Sequence, residues 1–132
     1  MLTPCEVAVK CALPSVRAMV ADELMNKHSL KQVEAAKLLG ISQPAVSLYQ
    51  KKLRGHSMDL GDDPDINALV MKHANYLVKG STTYKDTLFS FCSICRVIRS
   101  KGFLCKIHKA LDPTADLDEC DYCQTMDPFA CP

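Results

Sequence analysis

The sequence predicts an all-α protein, with an N-terminal helix–turn–helix bundle followed by a small, helical and cysteine-rich C-terminal domain. Two observations lead to this prediction. Apolar residues recur at helical spacing between residues that start or end helices, and no segment has the alternating pattern of a confident strand. In addition, six of the eight cysteines lie after residue 90, so the two halves of the chain differ in composition.

Residues 32–51, QVEAAKLLGISQPAVSLYQK, have the pattern of a helix–turn–helix. Ala36 is small, as is required where two helices cross closely, and Gly40 suits the left-handed backbone that opens the turn. Val46 and Tyr49 are three residues apart, so they lie on the same face of the second helix and are expected to pack against the first.

Capping signals predict the other helices of the N-terminal bundle. The capping-box sequence TPCE starts a short helix that runs from Thr3 to about Ala12, and Pro14 begins a second helix. Ser29 is expected to cap the first helix of the motif, which ends at Leu39. With the segment that follows the turn, these elements make a four-helix head.

Ser42 can cap the second helix of the motif, in whose first turn Pro44 is tolerated. Lys51, Lys52 and Arg54 follow this helix, where the phosphates of a bound duplex would run. The alternative is a generic helical hairpin that does not bind DNA. The predicted DNA-binding residues are Gln43, Pro44, Ser47, Leu48, Lys51, Lys52, Arg54 and Lys37.

Three of these residues are expected to read bases in the major groove. Gln43 suits adenine, Ser47 suits several base edges, and Leu48 can meet a thymine methyl group. The cations, with Lys37 as an outlier, hold phosphates. The charge distribution agrees, since residues 1–58 carry eight Lys or Arg against four Asp or Glu, whereas the remainder carries eight against eleven.

Residues 55–64, GHSMDLGDDP, have the composition of a linker. A helix is predicted from Pro64 to Gly80, and we expect it and the next helix to form a homodimer that binds two half-sites of a palindromic operator. His73 is expected in the core, and His56 at a solvated or phosphate-facing position. The predicted domains are residues 1–56 (DNA binding), 57–80 (linker and dimerisation helix) and 81–132 (cysteine-rich).

A longer helix is expected to follow, capped by Ser81 or Thr82 and running to about Lys101. Gly102 then breaks the helix, and residues 111–119 form an Asp-rich loop. Apart from its cysteines, one stripe of the long helix is expected to be core. This stripe consists of Tyr84, Leu88, Phe91, Cys92, Cys95 and Ile98.

The C-terminal cysteines predict an inorganic site. They include two C-x-x-C pairs that 24 residues separate, and two intervening residues let both thiolates of a pair reach one ion. A further cysteine lies between the pairs in a predicted short turn, and the last cysteine, Cys131, is the weakest candidate. The predicted ligands are Cys92, Cys95, Cys105, Cys120 and Cys123.

The identity of the metal stays open between an iron–sulfur cluster and zinc. The paired spacing fits zinc, although the gap between the pairs is long. A cysteine set that exceeds one tetrahedron favours a [4Fe–4S] or [2Fe–2S] cluster, whose charge nearby basic residues could offset. His108 is expected to have a surface or second-shell role rather than to bind metal. Cys5 and Cys11, in the first helix, are expected to be small buried core residues.

Two stretches of the chain resemble known proteins. The head, residues 3–55, is similar to the DNA-binding domain of archaeal thiamine-biosynthesis regulators, but their phosphate-synthase-like ligand domain is replaced here by the cysteine-rich segment. A thiamine ligand is therefore not carried over. Together with FCSICRVIRSKGFLCKIHK and ECDYC, the head resembles a family of small archaeal transcription regulators, and the resemblance implies transcriptional regulation and an iron–sulfur cluster.

The expected function is transcriptional regulation through sequence-specific binding to double-stranded DNA, modulated by a cluster that senses redox state, oxygen or iron. One alternative is a regulator with a purely structural zinc site. Another is an iron–sulfur electron carrier or a thiol–disulfide oxidoreductase that uses the C-x-x-C pairs. No nucleophile–base pair or Gly-rich phosphate loop is visible, so we expect no enzyme. The absence of a membrane-length apolar run and of a secretory signal favours the cytoplasm.

Overall fold

The computed structural model describes residues 1–80 and 83–125, and it is entirely helical outside its turns and loops, so the predicted all-α class is confirmed. None of the helices in these ranges has both the length and the apolar character that crossing a membrane requires. The elements are α1 (Pro4–Val7), a π-helical turn (Ala8–Ala12), α2 (Leu13–Asn26), α3 (Gln32–Leu39), α4 (Gln43–Gln50), α5 (Pro64–Lys79), α6 (Tyr84–Ser100), α7 (Phe103–Leu111) and α8 (Tyr122–Thr125).

The first three elements form one continuous helical run. The predicted capping box is present, since the Glu6 amide donates to Thr3 Oγ1 at 3.4 Å and the Thr3 amide donates to the Glu6 carboxylate at 2.6 Å. The predicted break before Pro14 is wrong. A proline inside a helix lacks a donor and crowds the preceding turn, and here the wide π turn directly precedes Pro14 and keeps the chain helical.

The start of α3 also differs from the prediction. Ser29 does not cap this helix, because its backbone is left-handed (φ 57°) and the N-cap position belongs to Lys31. The Glu34 carboxylate accepts the Lys31 amide at 3.1 Å and so satisfies a donor at the helix start. The predicted end of the helix at Leu39 is confirmed.

Helices α5 and α6 form an antiparallel hairpin. Asp63 caps α5 by accepting the amides of Asp65 and Ile66, both at 3.0 Å, and Gly80 ends the helix in the left-handed conformation, as predicted. Lys101, which follows α6, donates to the carboxylates of Asp63 and Asp65 at 2.8 and 2.6 Å. The N-cap of α6 is Thr83; the predicted caps at positions 81 and 82 lie outside the described residues.

One core joins helices from all three predicted segments, whose boundaries stay predictions. Leu60, within the predicted linker, belongs to this core. Each of its larger side chains contributes about 1.5–3 kcal/mol through burial. The largest fully buried side chains are Leu24, Ile66, Ile94, Ile98, Leu104, Val7, Val16, Val20 and Val46, of which all but Val46 belong to this cluster.

The buried stripe of α6 overlaps the predicted one only in part. Ile98 is fully buried and Phe91 is partly buried against the core, as predicted, whereas Tyr84 and Leu88 are 80% and 47% exposed. Ser90 and Ile94, which the prediction did not include, are buried. The predicted short turn after Gly102 is also wrong, since a nine-residue helix, α7, follows this left-handed glycine.

His73 is a core residue, as predicted. Its ring is 3% exposed and lies 5.5 Å from the ring of Phe91, and its Nδ1 has no hydrogen-bond partner in the described part of the chain. Burial lowers the pKa of His73 from 6.5, because the charged ring would lose its hydration.

Replacing His73 by leucine should therefore remove a source of acid sensitivity. An unfolded histidine takes up a proton near pH 6.5 while the folded one resists it, so the native state loses stability as the pH falls below that value. The slope from this residue is at most about 1.4 kcal/mol per pH unit. Urea unfolding from pH 5 to 8 measures it. Identical pH dependence in the wild type and His73→Leu would contradict this role.

Candidate nucleic-acid interface and cysteine cluster

The turn between α3 and α4 has the geometry that the sequence predicted. Gly40 is left-handed (φ 67°), and the Ile41 amide returns to the Ala36 carbonyl at 3.1 Å. Ser42 Oγ then accepts the Ala45 amide at 3.3 Å, which caps α4 and starts the helix in a new direction. These local bonds fix the angle between the two helices.

A small core holds the two helices against α2. Ala36 of α3 and Val46 and Tyr49 of α4 are buried, and they pack with Ala18 and Ala21 of α2. Alanines at the crossing allow the helix backbones to approach closely, as expected for Ala36. The face of α4 that carries Val46 and Tyr49 is therefore buried against α2 and α3.

The opposite face of α4 is available to a ligand. Gln43, Pro44 and Leu48 are exposed and Ser47 is half-buried, and these four positions recur at helical spacing on one side of the helix. Gln43, Ser47 and Leu48 are the predicted base-reading residues, and Pro44 is a further member of the predicted DNA-binding set. The structure thus brings together the recognition-helix part of the predicted site.

Gln32 is a neighbour of this surface that the sequence prediction missed. The Gln43 side-chain amide donates to Gln32 Oε1 at 2.7 Å, and the Gln32 amide donates in turn to Gln50 Oε1. This chain of amides runs from the start of α3 to both ends of α4 and restrains the Gln43 side chain. The only feature of the sequence that could have indicated this contact is that both helices of the motif begin with a glutamine.

The predicted cations lie just beyond α4. Lys51, Lys52 and Arg54 are exposed, and Lys52 has a left-handed backbone (φ 60°) that turns the chain. The Arg54 guanidinium lies 5.7 Å from the centre of the Tyr49 ring, so it is held close to the motif. Lys37, the predicted outlier, is exposed on α3.

After these cations the chain packs back on the head. Gly55 has a left-handed backbone (φ 79°) and lies so close to Pro14, Ala18 and Tyr49 that a Cβ atom would come within 2.7–3.0 Å of their atoms. His56 is exposed, and its Nε2 is 3.2 Å from the Tyr49 carbonyl oxygen, so its ring is anchored to the end of α4.

The described cysteines are all free thiols, and three of them interact with Arg99 of α6. Arg99 Nη1 lies 3.8 Å from Cys5 Sγ, and the same guanidinium hydrogen-bonds Cys123. Although burial would lower the pKa of Arg99, this bond and the charges of Cys123, Cys5 and Cys95 raise it. Thiols from α1, α6 and α8 therefore all interact electrostatically with one cation.

The predicted ligands fall into two groups that share Cys123. The first group consists of Cys92, Cys95 and Cys123, whose thiols interact electrostatically. Burial raises the pKa of Cys95; Arg99 opposes this, and the thiols of Cys92, Cys5 and Cys123 add to it.

The second group lies beside α7. Burial, followed by the charges of Cys123 and Cys120, raises the pKa of Cys105. A small cavity between these three cysteines is also lined by Pro4 and His108. Cys123 thus belongs to both groups and connects them.

As the side chains stand, no three His, Cys, Asp or Glu residues in the described ranges are arranged to hold a metal ion. Cys131 lies outside those ranges. Cys11 is buried, as predicted, but the expectation that Cys5 is a buried core residue is wrong, because its thiol is exposed beside Arg99. The short first helix turns this side chain away from the core that Val7 enters.

His108 lies at the junction of the head and the C-terminal segment. Its ring is buried, contrary to a surface position, and Nε2 lies 2.8 Å from the Leu2 carbonyl oxygen. The Leu2 amide donates to the Asp112 carboxylate at 3.0 Å. This carboxylate also accepts bonds from Thr114, which with the Leu2 bond lower the pKa of Asp112. The backbone of the N-terminus is therefore fastened to α7 and to the residue after it.

Comparisons with protein-family models, with curated proteins and with solved structures find no match to this chain.

Proposed function

We propose that this protein is a transcription regulator that binds double-stranded DNA in a sequence-specific manner and acts as a homodimer in the cytoplasm. The observation that carries the proposal is that α4 has one buried and one exposed face. One face is buried against α2 and α3, and the other presents short polar and apolar side chains beside a group of exposed cations. A helix with this arrangement fits the major groove.

In this proposal, α4 supplies the base contacts. The Gln43 amide is already oriented by Gln32, which lowers the entropy lost when it pairs with the adenine edge. The Ser47 hydroxyl accepts or donates to several base edges, and Leu48 contacts a thymine methyl group. Lys51, Lys52 and Arg54, with Lys37, neutralise phosphates and set the position of the helix on the duplex.

An iron–sulfur cluster bound by the C-terminal cysteines is the proposed sensor. The donor chemistry fits such a group, because thiols are its ordinary ligands and the Arg99 guanidinium, in hydrogen-bond contact with Cys123, offsets thiolate charge. The protein would hold the cluster with four of the residues Cys92, Cys95, Cys105, Cys120 and Cys123. When bound, a cluster supplies a centre that responds to oxidants and to iron supply.

Structural zinc is the second candidate. The observation that favours it is the pair of C-x-x-C units, in the middle of α6 and at the start of α8, which together offer four thiols. Metal analysis and colour separate the two, since an iron–sulfur protein is brown and contains iron and sulfide. A colourless protein with one zinc per chain would make the site a structural clip and would remove the sensing part of the proposal.

The α5–α6 hairpin is the proposed dimer interface. Several large apolar side chains of α5 and α6 are exposed to solvent, and a contiguous patch of such side chains is typical of a protein–protein interface. These side chains are Met71, Val78, Tyr84, Leu88 and Phe89. Sedimentation should therefore give a dimer mass at micromolar concentration, and a monomer mass at every concentration would refute this part of the proposal.

Selection from a random-sequence duplex library tests DNA recognition itself. The anaerobically purified protein should enrich one motif with two similar half-sites, and Gln43→Ala should relax the preference at one position of each half-site by about 1–3 kcal/mol. Val33→Ala is a control, because Val33 is an exposed residue of α3 outside the proposed contact set. Failure to enrich any motif would contradict sequence-specific binding.

A further inference from the structure

A cavity lies behind the end of the recognition helix. Its volume is about 350 Å³, near the lower end of the usual range for small-molecule sites. Three parts of the chain form its walls: α2, the end of α4 with the turn that follows it, and residues 55–61. Neither the proposed base contacts nor the cysteine site uses this space.

The wall that residues 55–61 form is anchored along its length. Gly55 lies against α2 so closely that a Cβ atom would come within 2.7 Å of the Pro14 carbonyl oxygen. His56 Nε2 lies 3.2 Å from the Tyr49 carbonyl oxygen, and Leu60 is buried in the main core. The cavity is therefore a feature of the packed fold.

The inner surface of the cavity is largely apolar. Met19, Met25 and Met58 line it and are half-buried, and methionine side chains adapt their shape to irregular ligands. Ser15, a buried polar residue of the lining, already donates its hydroxyl to the Cys11 carbonyl at 2.8 Å. The interior thus offers contacts to the apolar body of a ligand.

The exposed part of the lining has a negative balance of charge. It carries the carboxylates of Asp22 and Asp59 against the single ammonium of Lys52. Neither carboxylate forms an ion pair with a residue of the ranges 1–80 and 83–125. Asp22 accepts one hydrogen bond, from the Asn26 amide at 2.7 Å, and an ionised carboxylate can accept several. Charge complementarity therefore favours a cationic ligand.

We propose that this cavity binds a small organic amine with an apolar body and one protonated amino group. The body of the ligand packs against the three methionines, and its ammonium group lies toward Asp22 and Asp59. A site of this kind combines apolar contact area with a few polar groups that fix the orientation of the ligand.

The cavity also provides a route from the ligand to DNA binding, a step that rests on the proposed function. Gln50, the last residue of α4, and Lys52, a proposed phosphate contact, both line the cavity. A bound ammonium adds positive charge beside this surface and packs against the end of the recognition helix. The amine should therefore raise the affinity for a duplex, and the duplex should raise the affinity for the amine by the same factor.

Tryptamine is a suitable probe for the site. The chain contains no tryptophan, so the indole of the probe can be excited at a wavelength at which the protein does not absorb. Fluorescence anisotropy should rise saturably as protein is added. 3-Indolepropionate, which has the same ring and a carboxylate in place of the ammonium, should bind more weakly. No binding of tryptamine, or equal binding of the two probes, would overturn the proposal.

Neutral variants locate the site of binding. Asp22→Asn combined with Asp59→Asn should weaken tryptamine binding at least about threefold, and Asp22→Asn keeps the oxygen that Asn26 contacts. Asp116→Asn combined with Asp118→Asn is the matched control, because these exposed residues carry the same charge but lie in the loop after α7. Circular dichroism should show that both variants are folded. Equal affinities in the two double variants would overturn the assignment to this cavity.

Titration of a labelled duplex with and without saturating tryptamine tests the coupling. The affinity for DNA should rise by about fivefold or more, and it should not rise in the Asp22 and Asp59 double variant. Unchanged DNA affinity in the wild type would overturn the regulatory role. A protein that binds tryptamine but no duplex would contradict the proposed function and leave the amine site in place, so the two failures are distinguishable.

Discussion

Replacing Gly55 by alanine is expected to lower the free energy of unfolding by about 2–5 kcal/mol. Two costs add: about 1–2 kcal/mol for a side chain on a left-handed backbone, and about 1–3 kcal/mol for overpacking. The new Cβ would lie 2.7 Å from the Pro14 carbonyl oxygen and 2.8 Å from Ala18 Cβ. Urea unfolding followed by circular dichroism measures the loss.

Alanine substitutions at two other glycines allow the cost of the left-handed backbone to be measured separately from the cost of overpacking. Gly80 has a left-handed backbone (φ 61°), and no atom of the described residues would lie within 4 Å of a Cβ there, so Gly80→Ala should lose only about 1–2 kcal/mol. Gly61 has neither constraint, since its nearest neighbour would be Asp59 Oδ1 at 3.8 Å, and Gly61→Ala should change stability by less than about 0.5 kcal/mol. A Gly55→Ala loss no greater than that of Gly80→Ala would contradict the close packing after α4.

Replacing both Lys51 and Lys52 by alanine is expected to weaken binding to every duplex alike, on the order of 10- to 100-fold at physiological salt. Each lost phosphate contact also lowers the slope of log affinity against log salt by about 0.9, so the double variant should lose a slope of about 2. Titrations of a labelled duplex at several salt concentrations give both quantities.

A control with the same change in net charge is Lys10→Ala combined with Lys106→Ala. Both lysines are exposed, but they lie in the π turn and in α7 rather than beside α4 or in the proposed dimer interface. This control should keep the wild-type slope. If the Lys51 and Lys52 variant instead altered only the preferred sequence, the assignment of these lysines to phosphates would be wrong.

The helix–turn–helix was predictable because its determinants are local. Gly40 and Ser42 fix the turn through their own backbone and side-chain bonds, and the spacing of Ala36, Val46 and Tyr49 defines the packed face. Each of these requirements acts over at most four residues within a helix or across one tight turn. A single sequence carries such information directly.

The composition of the cysteine cluster was not predictable in the same way. The C-x-x-C pairs were visible from spacing, but the approach of Cys5 to Arg99 depends on how α1 packs against α7. The α6 stripe was right at Ile98 but wrong at Tyr84 for a related reason, since the helix contacts both α5 and α7 and these contacts determine which face is buried. Ile94, rather than Tyr84, fills the core.

The most direct test of the central claim compares DNA affinity in two states of the same preparation. A fluorescently labelled duplex carrying the selected motif is titrated with anaerobic protein before and after oxidation, at one salt concentration, with anisotropy as the readout. We predict that loss of the cluster changes the affinity by about 5- to 150-fold, the usual range of coupling between sites. Tight, sequence-specific binding that is identical in both states would contradict a regulator controlled by its cysteine site.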